Sequence, residues 1–167
     1  MASRQTRRVP VPKSLLDGEE FAGSHYSWAC ELSAPDAKSK TAEQWGRAVF
    51  EGAPAPVRGF VVLGWTQVLR LRLGPRPSGE HILGWRISGP APGFGKEGES
   101  LLLESRSGLI TAYNVAVVNE TGVLWATAVR FNNPVGRLFW RLAQPIHQLT
   151  IPRLLRRAAR TLERDRA

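Results

Sequence analysis

The middle of the chain alternates apolar and polar residues, which is the pattern of β-strands. Segment 25–32 carries Tyr26 and Trp28 on one side and predicts a first strand. Four more strands are predicted: His81 to Ile87, Leu101 to Arg106, Leu109 to Val118 and Val123 to Phe131. The short turns 107–108 and 119–122 join the last three, which favours an antiparallel meander.

Other segments repeat apolar residues every three or four positions, the spacing of an amphipathic helix. Thr41 and Gln44 match a capping box at the start of a short helix that ends near Gly52. A second helix is predicted across 57–69, although the run 60–63 taken alone also fits a strand. Two short helices therefore follow the first strand.

The longest helix is predicted at the C-terminus. Asn133 is placed to cap it, and Pro134 stands at the first helical position, where its missing N–H costs little. Apolar residues flanked by arginines then recur at helical spacing as far as Leu162. Pro145 and Pro152 each remove an intrahelical hydrogen bond, so we expect this helix to be kinked or segmented.

This order of elements is not the alternation of strand and helix that builds a parallel sheet. It predicts an α+β protein, with a curved antiparallel sheet wrapped around the long C-terminal helix. A chain of 167 residues suits one domain, which we expect to cover 21–167. Residues 1–20 are expected to be a basic arm, extended or poorly ordered, that contributes little to the core. A strongly curved sheet leaves room for a pocket beside the helix.

Alternation along the strands assigns side chains to the face that turns towards the long helix. The candidate ligand-binding residues on that face and on the helix are Trp85, Thr111, Tyr113, Trp125, Thr127, Phe131, Phe139, Leu142 and His147. They either line a cavity or form a fully packed core, and the sequence leaves both open. In a cavity, the Thr and Tyr hydroxyls would orient a ligand. Asn114 and Arg130 are assigned to the opposite face.

The segment 89–98 is rich in Gly and Pro and is expected to form a mobile loop beside the pocket. Phe94 near its tip is predicted to act as a lid over a ligand. The segment does not fit a phosphate-binding loop, because Lys96 is followed by Glu97 rather than by Ser or Thr.

The residues that could carry chemistry are few. His25, His81 and His147 have no second ligand at metal-binding spacing, and Cys30 has no cysteine partner, so we expect neither a metal nor a cofactor. His147 and Tyr113 are the candidates for moving a proton, although they form no matched acid–base pair. A structural or surface role for His147 is the alternative.

The formal net charge is +9, from 23 Lys and Arg against 14 Asp and Glu. Basic residues cluster at both chain ends, where they either form a solvated surface or bind an anionic membrane. The candidates for membrane contact are Arg153, Arg156, Arg157 and Arg160. Nucleic acid is not expected as a partner, because the chain lacks a motif that reads it.

Two absences bear on location. The single cysteine and the lack of a secretory signal predict a cytoplasmic protein, peripheral to the membrane if the arginines bind lipid. The longest apolar stretch, 60–65, is too short to cross a bilayer. The oligomeric state is left open.

The C-terminal third resembles a known superfamily. The stretch from Val123-Leu124-Trp125 through NNPVGRLFWRLAQPIHQLTIPRLLRRA is similar to the ending of small bacterial SRPBCC proteins, the START, birch-pollen-allergen and polyketide-cyclase-like group of helix-grip fold. The likeness is greatest to a member family of unknown function. Its specific part is the junction 132–136 with Pro145, and the order of elements extends it over 26–164.

This resemblance implies an apolar cavity that takes lipids, isoprenoids, polyketides or similar molecules. Members act as carriers or sensors, and some are enzymes, which here would mean a cyclase or dehydratase working without a metal. The resemblance assigns no catalytic residue, because no catalytic set is shared across the superfamily.

Overall fold

A computed structural model describes residues 4–94 and 99–165. These residues form one curved antiparallel sheet of order β1-β2-β7-β6-β5-β4-β3, short helices and a long C-terminal helix packed against the sheet, which confirms the α+β prediction. The strands are β1 (Thr6–Val9), β2 (Tyr26–Ser33), β3 (His81–Ile82), β4 (Trp85–Gly89), β5 (Ser100–Arg106), β6 (Ile110–Val118) and β7 (Gly122–Phe131). The helices are α1 (Lys13–Leu16), α2 (Glu19–Ala22), α3 (Ala42–Phe50), α4 (Ala55–Leu63) and α5 (Pro134–Arg164).

Both predicted short helices are present and follow β2. The capping box of α3 is formed, since Thr41 accepts from the Gln44 backbone and the Gln44 side chain accepts from the Thr41 backbone. The second helix, α4, continues as a π-helical segment, Gly64–Val68, so the helical interpretation of 57–69 is confirmed.

Helix α5 starts as the sequence predicts. The Asn133 side chain accepts a hydrogen bond of 2.9 Å from the Gly136 N–H. Glycine is required at 136 because a Cβ there would collide with the Leu109 carbonyl oxygen. The helix runs for 31 residues through Pro145 and Pro152, so it is continuous rather than segmented.

The N-terminal arm contributes more to the fold than expected. Strand β1 pairs with β2 along its whole length, and Leu15 in α1 and Phe21 in α2 are buried against the face of the sheet that points away from α5. The expectation that residues 1–20 add little to the core is therefore wrong. Strand β6 is buried at every position, and such a sheet needs cover on both faces.

The predicted strand from His81 to Ile87 is instead a short hairpin. Strands β3 and β4 pair around Leu83 and Gly84, which have φ of 46° and 90°. These positive φ values turn the chain between two strands whose alternation had looked continuous.

Candidate ligand cavity

A cavity of about 490 Å³ lies between the inner face of the sheet, residues 140–154 of α5, and α4 with its π-helical extension, which together (55–68) are called the α4 region. Its volume falls within the range of small-molecule sites, and its wall is almost entirely apolar. The sheet contributes Trp85, Ile110, Ala112, Asn114 and Thr127.

The two halves of α5 differ in how many of their side chains are buried. Its second half buries Leu155 together with Ala158 and Ala159, whose small side chains let the helix approach the core closely. Its first half buries only Gly136 and Trp140. The first half still contacts the sheet, since His147 lies 3.0 Å from Thr127, and its residues Trp140, Ala143 and Ile146 line the cavity.

The cavity opens to solvent between α4 and α5. We define its mouth as Phe60, Leu63, Leu142 and Ile146, which line the cavity and are also exposed. Phe60 is 56% exposed and Leu142 is 62% exposed. No residue of α4 or of its π-helical extension is fully buried. This side of the cavity is therefore a single layer of partly exposed residues.

A polar network lies at the inner end of the cavity. The Trp125 indole donates to Asn114 Oδ1 over 3.1 Å, and the Thr127 hydroxyl donates to the same oxygen over 2.6 Å. The Thr127 oxygen also lies 3.0 Å from His147 Nε2. Because the hydroxyl proton is used on Asn114, Nε2 must carry the proton that it donates to Thr127. His147 Nδ1 is then a bare acceptor, and it is buried without a hydrogen-bond partner.

His147 is held as a neutral imidazole. The rings of Trp28 and Trp140 lie 5.2 and 5.5 Å from it, centroid to centroid, and that of Tyr26 lies at 6.4 Å. Burial lowers the pKa of His147 to about 4. A base of this pKa gives little driving force for proton abstraction near pH 7.

The two candidate proton-transfer residues lie on opposite faces of the sheet. Tyr113 packs in the outer cluster with Leu15 and Phe21, away from the cavity. There its pKa is raised, mainly by burial. Tyr113 and His147 therefore cannot act on one substrate in this cavity.

Four of the predicted ligand-binding residues lie in the cavity wall: Trp85, Thr127, Leu142 and His147. Three others lie on the same side of the sheet but outside the wall. Trp125 packs on Phe50 at 5.3 Å, Phe131 stacks on His25 at 5.2 Å, and Phe139 packs against the main core.

The face assignment along β6 was wrong. Thr111 and Tyr113 belong to the outer face, whereas Asn114, assigned outward, faces the cavity opposite its strand partner Thr127. Residues directly opposite each other on antiparallel strands share a face. Alternation could not decide between the faces because both are buried. Arg130 does lie on the outer face, where its Nε donates to the Gly23 carbonyl.

The predicted lid is also wrong. Phe94 packs on the outer cluster, and its carbonyl accepts a 2.8 Å hydrogen bond from Ser100 Oγ. Phe94 lies on the opposite side of the sheet from the cavity, because Leu15 of the N-terminal arm and its apolar neighbours form a surface there on which it packs. Residues 95–98 of the predicted loop lie outside the described residues.

The candidate arginines of α5 are not equivalent. Arg153, Arg157 and Arg160 are exposed. Arg156 is partly buried, and its Nη1 donates to Thr6 Oγ1 in β1 over 2.9 Å. Arg156 therefore holds α5 to the edge of the sheet.

Sequence reasoning missed Phe60, Leu63 and Ile146 as site residues. The sequence predicted helices for both segments that hold them but did not assign these apolar residues to the cavity wall. The excess of apolar residues in 57–69 was the signal available.

Among residues 4–94 and 99–165, no group of His, Cys, Asp and Glu is arranged to hold a metal ion. No helix in the same residues is long and apolar enough to cross a membrane.

Comparisons of the chain with protein-family models, with curated proteins and with solved structures each found no match.

Proposed function

We propose that this protein binds a hydrophobic or amphipathic small molecule in the cavity between the sheet and α5. The observation that carries the proposal is an open, apolar cavity of about 490 Å³ with a few neutral polar groups at its inner end. Sites for small molecules are typically apolar with a few placed polar groups. The resemblance to SRPBCC proteins, which stays a prediction, points to lipids, isoprenoids or polyketides as ligand classes.

The chemistry of the wall limits the ligand. No Asp, Glu, Lys or Arg belongs to the wall formed by the described residues, and a charge buried there would lack a partner. The buried part of the ligand is therefore uncharged. A polar head group would stay at the mouth, where Gln67 is exposed.

Binding is better supported than catalysis. A cyclase or dehydratase needs a group that moves a proton at the substrate. His147 Nε2 is already bonded to Thr127, its Nδ1 is closed off from solvent, and its pKa of about 4 suits it poorly as a base. We therefore propose a carrier or sensor rather than an enzyme.

The proposed location is the cytoplasm. Cys30 is unpaired and buried, as is common for thiols in reducing compartments.

Native mass spectrometry of gently purified protein, followed by organic extraction, tests the proposal. We expect a stoichiometric apolar molecule, or uptake of lipids from a panel by the free protein. A folded protein that takes up no lipid, polyketide or solvatochromic dye would contradict the proposal.

A matched pair of variants tests where the ligand binds. Ala143 lines the cavity, whereas Arg141 on the same helix is exposed. Ala143→Trp should fill the cavity and lower dye affinity by about tenfold or more. This is the loss expected when the dye can no longer bury an apolar surface as large as one side chain. Arg141→Trp should leave the affinity unchanged. Equal uptake by both variants would place the ligand elsewhere.

A further inference from the structure

One face of the first half of α5 is apolar and faces solvent. Its residues recur every three or four positions, so they lie in one stripe along the helix. They are Val135, Leu138, Leu142, Ile146 and Leu149, all large and all exposed. Single exposed apolar residues are ordinary in proteins, but a continuous stripe marks an interaction surface.

The α4 region adds to this stripe across the cavity mouth. Phe60, Leu63 and Val68 are exposed and line the cavity with Leu142 and Ile146. Every large apolar side chain exposed in the described part of the chain belongs to α5 or the α4 region, except Leu16. The exposed apolar surface is thus concentrated around the opening of the cavity.

The same face of α5 becomes basic further along the helix. Arg153 follows Leu149 by four residues, and Arg157 and Arg160 continue the stripe, all exposed. Within 52–79 and 121–164, the segments that hold both elements, the only aspartate or glutamate is Glu163, which forms an ion pair with Arg4. One surface therefore combines exposed apolar groups with unopposed positive charge.

We propose that this surface docks on an anionic lipid bilayer. The apolar side chains of α4 and α5 enter the interface between head groups and acyl chains, and the arginines bind anionic head groups. The charge argues for this occupant over a second copy of the chain. Two copies meeting through this face would bring together surfaces of like sign with no carboxylate between them.

Docking in this orientation places the cavity mouth against the membrane. An apolar ligand then passes between bilayer and cavity without crossing water. This last step rests on the proposed function, whereas docking does not require a bound ligand.

Sedimentation with vesicles tests the proposal. The intact protein should bind vesicles of equal parts phosphatidylcholine and phosphatidylglycerol, and bind less to phosphatidylcholine alone. Added salt should weaken the binding, because it screens exposed charges. Equal binding to both vesicles, or binding to neither, would overturn the proposal. So would self-association of the protein that is lost when Leu142 and Leu149 become serine.

Apolar variants test which side chains enter the bilayer. Phe60→Ser and Leu63→Ser should each lower binding to the mixed vesicles by roughly tenfold, the equivalent of removing one apolar side chain from a buried site. Leu16→Ser removes an exposed leucine outside the docking surface and is the matched control. The proposal fails if all three variants bind like the unmodified protein.

Charge variants test the arginine contribution. Replacing Arg153 and Arg157 by Gln should lower binding to the mixed vesicles by roughly 30-fold, given the usual strength of an arginine near an anionic surface. Replacing the exposed Arg76 and Arg86 removes the same charge elsewhere and should change binding much less. Equal losses from both pairs would mean that net charge acts without a docking face.

A fluorescent label reports the orientation directly. Cys30 is buried and burial raises the pKa of its thiol to about 12, so it should not react near neutral pH. An environment-sensitive dye on Leu63→Cys should shift to shorter wavelength on the mixed vesicles, and on Arg86→Cys it should not. The reverse result would overturn the docking face.

A protein that docks but takes up no ligand in the free state would leave this proposal intact and refute the proposed function.

Discussion

The two halves of α5 are both rich in apolar residues, yet the second half buries most of them and the first half leaves most of them exposed to solvent. From Ile151 onwards the helix buries five of its side chains: Ile151, Leu154, Leu155, Ala158 and Ala159. Before residue 151 it leaves Leu138, Leu142 and Leu149 exposed. Apolar character alone therefore does not decide burial, because a side chain is buried only where a neighbouring element approaches it closely.

This difference in burial suggests that the second half of α5 stabilises the fold, whereas the first half forms the proposed binding surfaces. The second half packs on the core through small alanines and leucines and is held to β1 by Arg156. The first half forms one wall of the cavity and presents its apolar stripe to the outside. Substitutions in the two halves should thus act on different properties.

The largest effect is expected from Leu155→Ala. Leu155 is 0% exposed, so its truncation should destabilise the fold by about 2–5 kcal/mol. Leu142→Ala, at an exposed site on the same helix, should change stability by less than about 0.5 kcal/mol. Urea unfolding followed by circular dichroism measures both. Similar losses would mean that the two halves pack alike.

Acidification should destabilise the protein through His147. Its folded pKa of about 4 lies below the ordinary value of 6.5, so the unfolded chain binds more protons between these pH values. Stability should therefore fall as the pH drops from about 6.5 to about 4, by roughly 3 kcal/mol at most. His147→Gln should flatten this part of the profile of unfolding free energy against pH. Parallel profiles for the two proteins would refute the assignment to His147.

A smaller loss is expected from Asn114→Ala, since it removes the acceptor shared by Trp125 and Thr127. Leaving buried donors unpaired should cost about 1–3 kcal/mol in unfolding free energy. Ser105 is the matched control, because its buried hydroxyl has no partner in the structure. Ser105→Ala should be close to neutral, and an equal cost for both would show that the network contributes nothing.

The smallest effect concerns the arginines of the second half. Arg156→Gln removes the hydrogen bond to Thr6 and should cost about 0.5–1.5 kcal/mol in thermal or urea unfolding. Arg157→Gln, at the exposed neighbouring site, should leave stability unchanged. If Arg157 proved the more costly of the two, the contact between α5 and β1 would not be what holds the helix.

The sequence by itself determined the elements whose ends depend on neighbouring residues. The Thr41–Gln44 capping box, the Asn133–Pro134 start of α5 and the three-stranded meander were all predicted and are all present. The α+β class followed from the order of these elements. Such signals survive in a single sequence because the interacting groups lie within a few residues of one another.

Only the tertiary structure decided which face of β6 meets the cavity, where Phe94 packs and what the N-terminal arm covers. Alternation separates the two faces of a strand, but it cannot orient them when both are buried, and this placed Tyr113 and Asn114 on the wrong sides. The cavity is likewise a space between elements. Its wall is formed by residues of the sheet, the α4 region and α5, which meet only after the chain has folded.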